Sequence, residues 1–417
     1  MKLRRQNYFD RSSDFNTNRL DEIISLQWGI INSHIHLIAS ACYPFPSVLR
    51  ALSEPSFVLP AEGMPLSRYL PGSKAMDIVE VEGEKLALRL FGYPVGYKAS
   101  LQPHSGTQAN QIVYNSVLEP DDTVLCLKPK KGGHISHSVL ISRRHKTVNY
   151  ELTQEGYIDY DNLEEVAVRE KPKLIIVGGS SLSREIDFER CFKIARKVNA
   201  FLHADISHTA TFIAANVHKP VFPYCDFVTF NTVKNLRGPN SGILIYKDKY
   251  TKEVHSSIFP TTQGGANETN MLGKFAALLE WCDRDISSYA KSIIYSARLM
   301  GDVLMEEGIN LTSNGTDCHI LLVDLKDSSS SGAELERKME ELGVLINKNL
   351  TPNDKRSPLT TSGLRIGTTN LAILNYEDKD LIKLAKWIAN IINNQSTEID
   401  TIRELIHKYN VKIGKQD

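Results

Sequence analysis

The sequence has no excess charge of either sign. Its 417 residues carry 49 Lys+Arg against 49 Asp+Glu, a formal net charge of zero at pH 7. That balance removes the electrostatic footprint of a nucleic-acid binder or a polybasic membrane anchor. Long apolar runs are also missing: none approaches the roughly 18 residues of a membrane helix, so no membrane span is expected. The start, MKLRRQNYFDRSSDFN, is charged and has no apolar core, which predicts no secretory leader. The six cysteines (Cys42, Cys126, Cys191, Cys225, Cys282, Cys318) form no C-x-x-C pair. They read as reduced thiols of a cytoplasmic protein, each a small buried hydrophobe. Internal repeats and extended low-complexity segments are absent, and the SSSSG run at 328–332 reads as a turn before a helix. What remains, 41% hydrophobic and 24% charged residues, is the make-up of a folded soluble protein long enough for two or three domains.

Residues 17–30 place Leu20, Ile23, Ile24, Leu26 and Trp28 at helical spacing behind Asn and Asp, predicting an N-terminal helix that docks on something. From about 80 to 250, apolar runs of strand length (123–127, 173–179, 200–206, 226–230 and 241–246) alternate with helical stretches. The runs are nearly continuous in hydrophobicity, as strands covered on both faces should be, and the alternation predicts a mainly parallel sheet. One long helical stretch is expected over 268–307. The pattern then restarts with 318–325, 331–343, 344–349, 363–368 and a helix over 378–393, a smaller α+β unit.

Polar clusters sit at the ends of these strands, where open parallel sheets bind ligands. Ser105-Gly106-Thr107 opens a helix and offers backbone donors, hydroxyls and a positive dipole end to a phosphate; the same residues also cap helices that bind nothing. Asp205 ends a buried strand, where a carboxylate is costly unless paired; it either serves a cationic ring nitrogen or caps a loop. Lys234 follows another buried strand, where desolvation would make its amine nucleophilic; the alternative is a surface lysine. His134, His137, His203 and His208 invite a metal reading, but it leaves the phosphate cradle and Lys234 unexplained, so no metal is expected. A phosphate site, a nucleophilic Lys and an acidic partner for a ring nitrogen are together what pyridoxal phosphate requires.

At these residues the sequence resembles the serine hydroxymethyltransferase family. The likeness runs in order from about residue 30 to about 390, through LIAS (37–40), AEGMPLSRY (61–69), LQPHSGTQAN (101–110), GGHISH (132–137), KPKLIIVGGSS (171–181), VKNLRGP (233–239), IFPTTQGG (258–265), NGTDCHILLVDL (314–325) and TSGLRIGT (361–368). It implies an α/β protein of the fold-type I, aspartate-aminotransferase-like class. Such a fold has a seven-stranded, mainly parallel sheet in a large domain (41–285), a smaller α+β domain (286–417) and an N-terminal arm (1–40). The implied cofactor is pyridoxal 5′-phosphate, with tetrahydrofolate as a possible cosubstrate, a small amino acid as substrate, and a homodimer as the working form.

Carried over residue by residue, the resemblance makes Lys234 the covalent anchor of the cofactor and Asp205 the partner of its pyridine nitrogen. His134 would stack on the ring, Ser105, Gly106 and Thr107 would hold the phosphate, His208 would lie near the ring oxygen and Ser180 near the cofactor. Gly264 and Gly265 would approach the phosphate from the partner subunit. Arg365, assisted by Ser40, would grip the substrate carboxylate. Glu62 would serve as acid and base near the substrate hydroxyl, and Glu62, Tyr69 and Asn347 match folate-contacting positions. The sequence departs from the family pattern at Ala41, Cys42, Pro60, Leu70, Leu182, Val233, Asn240 and Thr269. These departures motivate an alternative: a folate-independent relative with aldolase or transaldolase chemistry at the α-carbon.

Overall fold

The computed structural model describes residues 18–54, 59–352 and 354–410. The charged start, Thr17 of the expected N-terminal helix and Asn353 lie outside the described residues. Seven strands form the main sheet: β1 (Tyr97–Ser100), β2 (Thr123–Leu127), β3 (Lys146–Tyr150), β4 (Leu174–Gly178), β5 (Phe201–Asp205), β6 (Phe227–Asn231) and β7 (Gly242–Lys247). Their order is β1-β7-β6-β5-β4-β2-β3. The run from β6 to β3 is parallel, and only β7 runs against its neighbours.

Side chains alternate between the two faces of a strand, and here both faces are dry. Ile175 and Val177 of β4 enter one core with Leu125, Ala204 and Val228. Leu174 and Ile176 of the same strand enter a second core with Val124, Phe227 and Leu244 on the opposite face. This explains the unbroken apolar runs. The covering helices begin where short polar side chains take up free N–H groups. Asp159, Asp187 and Asn267 accept from the backbone N–H three residues on, at Asn162, Arg190 and Asn270. Ser331 and Glu334 form a reciprocal capping box, the physical content of the SSSSG turn.

The expected single helix over 268–307 is two helices, Glu268–Asp283 and Ile286–Glu306. The break is Asp285, whose carboxylate accepts from the N–H groups of Ser287 and Ser288 and so restarts the helix. Beyond it lies a three-stranded antiparallel sheet of β8 (Ile320–Asp324), β9 (Asn347–Asn349) and β10 (Gly363–Gly367), with β10 in the centre. Its core takes in Trp387 and Ile388 of the helix Asp378–Ile392, and also Ile35 and Leu37 from the chain's beginning. The last two arrive because Ile35–His36 pairs in parallel with Val344–Leu345. No described helix is long and apolar enough to cross a membrane.

The N-terminal helix is present at Asn18–Ser33. Leu20, Ile23, Ile24, Leu26 and Trp28 on it remain between 45% and 62% exposed.

Gly178 shows how the fold presets the site. Its φ of +123° suits glycine, and a Cβ there would overlap the carbonyl of Asp205 on the neighbouring strand. Gly178→Ala is expected to lower the unfolding free energy by about 2–4 kcal/mol, through steric overlap and left-handed strain. Gly29→Ala, in a helix with no atom near the added methyl, is expected to stabilise by about 0.5–1 kcal/mol. Urea midpoints of the two variants check both signs.

Candidate active site

The carboxyl ends of β4, β5 and β6 and the loop after β2 converge on the N-terminus of the helix Gly106–Val117. Ser105 is the N-cap of that helix, its hydroxyl accepting from Gln108 N–H at 3.1 Å. A Cβ on Gly106 would sit 3.4 Å from Asn231 and 3.5 Å from the Ser207 hydroxyl, so the turn is pressed against the ends of β6 and β5. Thr107 is exposed beside it. The backbone N–H groups of this first turn lie where the sequence suggests a phosphate cradle, and helix N-termini of this kind suit anions.

Asp205, at the tip of β5, is only 8% exposed. Its Oδ2 accepts from Asn110 Nδ2 at 2.8 Å and from His137 Nε2 at 3.0 Å, and its Oδ1 accepts from Ser207 N–H at 3.0 Å. Burial disfavours the charged form, but the hydrogen bond and charge of His137, then Lys234 and His134, outweigh it. The carboxyl is held well below the usual carboxylate range. Oδ2 is thereby filled, and Oδ1 keeps one lone pair for a further donor.

Lys234 lies three residues past β6, in a turn that Asn231 shapes by accepting from Val233 N–H at 2.8 Å. Burial pushes its amine down to about 8, against the pull of Asp205 and with help from Arg365. His208 is buried and stacks on His319 at a ring separation of 5.2 Å. Asn235 Nδ2 donates to the His208 carbonyl at 2.8 Å and to His319 Nδ1 at 3.2 Å. His319 therefore carries its proton on Nε2, which faces the Ala39 carbonyl at 3.0 Å and His208 Nδ1 at 3.2 Å. His208 Nε2 is buried with no partner among the described residues. Burial, then Lys234, keep the His208 ring neutral.

Arg365 stands on β10 and reaches across to the main sheet. Its Nη1 donates to the Ser180 carbonyl at 2.6 Å and its Nε to Asn347 Oδ1 at 3.2 Å. Burial alone lowers it to about 10, so it remains a cation with three further N–H donors. Ser40 is half-buried next to Ala39, which packs against Gly367 at the end of β10. His134 is half-buried, its ring 5.7 Å from that of His137, and burial pushes it down to about 4.

Lys234, Asp205, His134, His208, Arg365, Ser180 and the Ser105–Thr107 turn thus share one edge. Glu62, Tyr69, Gly264 and Gly265 form a second cluster. A Cβ on Gly265 would lie 3.5 Å from Glu62 Cγ, and the Tyr69 ring packs at 5.1 Å from Phe259. Among the described residues, neither Glu62 nor Tyr69 makes a hydrogen bond or ion pair to the Lys234 cluster. Arg68 donates to the carbonyls of Ala61 and Gly63, on either side of Glu62. Glu268 fixes Ala61 N–H at 2.7 Å.

Sequence reasoning assigns no place in a cofactor site to Asn110, His137, His319 or Asn235, which build its walls. Each leaves a trace within a quoted segment: the second histidine of GGHISH, the Asn closing LQPHSGTQAN, the His of NGTDCHILLVDL and the Asn of VKNLRGP. Three departures from the family pattern meet near Lys234: Cys42 Sγ donates to the Val233 carbonyl at 3.2 Å, and Asn240 Oδ1 accepts from Asn231 at 3.3 Å. Leu182 is buried beside Gly132 and Gly179, whereas Pro60 and Leu70 are exposed and Thr269 lies in the first turn of the helix Glu268–Asp283. Among the described residues, no group of three or more His, Cys, Asp or Glu side chains could hold a metal ion.

A model of the serine hydroxymethyltransferase family matches residues 16–388. The chain is 37% identical over 368 residues to "Serine hydroxymethyltransferase 1" of Ralstonia nicotianae, covering 88% of each protein. It is 36% identical to the serine hydroxymethyltransferase of Cupriavidus taiwanensis, over 89% of this chain and 90% of that one. With the enzyme of Francisella philomiragia it shares 37% identity over 94% of each. These likenesses favour the transferase over the folate-independent alternative. Family members are pyridoxal-phosphate-dependent transferases acting on small amino acids with tetrahydrofolate as cosubstrate, and they are typically oligomeric. An edge that gathers a desolvated lysine, an ionised aspartate and a reaching arginine, on a chain matched over most of its length, places this protein in the serine hydroxymethyltransferase family.

Proposed function

We propose that this chain interconverts serine and glycine, passing the one-carbon unit to or from tetrahydrofolate, as a cytoplasmic homodimer. The observation that carries the reading is the convergence of Lys234, Asp205 and Arg365, remote in sequence, at one edge where Lys234 feels the other two charges.

The residues fit pyridoxal phosphate: His208 Nε2 is a buried polar atom awaiting a partner, Asp205 Oδ1 keeps a free lone pair, and the Ser105–Thr107 turn offers donors to a phosphate. When bound, the cofactor supplies an electron sink for the bond broken at the amino acid's α-carbon. Lys234 holds it covalently. Asp205, kept ionised in a dry setting, keeps a proton on the ring nitrogen. His134 would cover the ring face, His208 would lie near the ring oxygen and Ser180 near the cofactor. Arg365, with Ser40, takes the amino acid's carboxylate in a bidentate grip and so fixes which bond at the α-carbon stands ready to break. Glu62 moves a proton at the substrate hydroxyl, and Tyr69 and Asn347 contact the folate.

Glu62, Tyr69, Gly264 and Gly265 reach the cofactor of a second copy, a reading supported by the absence, among the described residues, of any bond from Glu62 or Tyr69 to the Lys234 cluster. The exposed stripe of Leu20, Ile23, Ile24 and Trp28 supports the same arrangement, because an apolar helix face in water is an interface awaiting its partner. Residues 41–285 form the cofactor-binding domain, 286–417 the smaller domain and 1–40 the arm.

Product formation from serine and from threonine, each with and without tetrahydrofolate, tests the function. Serine turnover that requires folate is the expected result; threonine cleavage indifferent to folate would overturn it. Capture of pyridoxal phosphate by the cofactor-free protein is expected to rise with pH and reach half its limit near pH 8. The neutral amine is the nucleophile, and an ordinary lysine is under about one per cent neutral there. Lys234→Arg is expected to abolish the yellow covalent product, followed by absorbance and borohydride reduction. Arg365→Ala is expected to weaken serine and glycine binding by about 2–5 kcal/mol, measured by spectral titration.

A further inference from the structure

Asn110 lies in the second turn of the helix Gly106–Val117 and is 1% exposed. Its amide orientation is set by its neighbours. A carboxylate can only accept, so the group 2.8 Å from Asp205 Oδ2 is the NH₂, and the amide oxygen faces Thr229. Thr229 Oγ1 lies 2.6 Å from that oxygen and must spend its single hydrogen there. His203 Nε2, 2.8 Å from the same hydroxyl, is then its donor, so the His203 proton sits on Nε2. A chain of fixed polarity runs from His203 through Thr229 and Asn110 to Asp205.

A second branch leaves the same amide. Asn110 Nδ2 donates to Ser136 Oγ at 3.1 Å. Ser136 presents both its backbone N–H, at 3.2 Å, and its hydroxyl, at 2.7 Å, to His134 Nδ1. A backbone N–H can only donate, so Nδ1 carries no proton, and the hydroxyl donates to it as well. The 3.3 Å approach of Asn110 Nδ2 to His137 Nε2 is two donors converging on one carboxylate oxygen.

We propose that Asn110 is a positioning residue that couples Asp205 to His134: one amide hydrogen orients the carboxylate, the other acts through Ser136 to hold the His134 proton on Nε2, and Thr229 braced by His203 stops the amide from turning. His134 then offers the site a donor at Nε2 and no acceptor. All members of the network are buried except His134, so each bond lost leaves a dry unpaired group rather than one that water can satisfy. The inference rests on the reading of Asp205 and His134 as cofactor contacts, but the tautomer belongs to the protein alone.

The test is long-range ¹H–¹⁵N spectroscopy of the full chain labelled at histidine, with and without pyridoxal phosphate, His134 being assigned from His134→Asn. A protonated Nε2 and an unprotonated Nδ1 in the wild-type protein are expected; a protonated Nδ1, or two averaged nitrogens, overturns the proposal whether or not any variant folds. Thr229→Val should move His134 toward averaged nitrogens, Ser136→Ala should do so less because its backbone N–H still meets Nδ1, and both should raise the pyridoxal-phosphate dissociation constant about tenfold. Thr229→Ser, which keeps the hydroxyl, should restore both. Folded Ser136→Ala and Thr229→Val proteins with wild-type tautomer and cofactor affinity would reduce Asn110 to packing. Failure of the wild type to bind pyridoxal phosphate would overturn the functional reading and leave the tautomer result standing.

Discussion

The ionised, buried carboxylate of Asp205 is the constraint around which the site is arranged. A charge in so dry a place is tolerated only with partners. Three donors are supplied from three different segments: Asn110 from a helix, His137 from the loop after β2, and Ser207 from the turn after β5. Meeting that demand brings the strand ends to their separations, and Gly178 lets β4 lie close enough for the tip of β5 to be enclosed. Lys234 then finds a negative neighbour that offsets part of its desolvation. Removing Asp205 would thus disturb the lysine as well as the proposed partner of the cofactor nitrogen.

The histidines divide by the same logic. His203, His208 and His319 are all held below the ordinary histidine range by burial. Imidazolium charges on His208 and His319 would add to those of Lys234 and Arg365, and neutral rings give the site hydrogen-bonding direction without that cost. The cations that remain, Lys234 and Arg365, are the ones whose chemistry needs charge or a lone pair.

Much of this is legible in the sequence. The central strands β4, β5 and β6 announce themselves because both faces are buried, and the polar residues that break each run, Asp205 and Lys234 among them, mark the ligand edge. The strands β1 and β3 escape notice for the converse reason: they are the edges of the sheet, and YKAS and KTVNY carry no apolar run. The helix Ile399–Asn410 hides behind a polar stretch. The break at Asp285 is concealed because apolar spacing continues through it, while the sign of a restart is a side-chain cap visible only in space. Asn110, His137 and His319 owe their roles to neighbours roughly 25 to 110 residues away, which no local pattern encodes.

Arg365 is anchored in the three-stranded sheet yet donates to Ser180 at the edge of the seven-stranded one. Lys234, Asp205 and the Ser105 turn all belong to the latter. The consequence concerns folding order. Chains of this size commonly pass through partly folded states in which one core forms before another. On the proposed roles, a state with only the larger core complete would already own the lysine and its counter-charge and could take up the cofactor, but it would lack Arg365 to hold the amino acid. Colour and turnover therefore report different degrees of completion of the same molecule, and a yellow preparation is not by that fact a fully folded one.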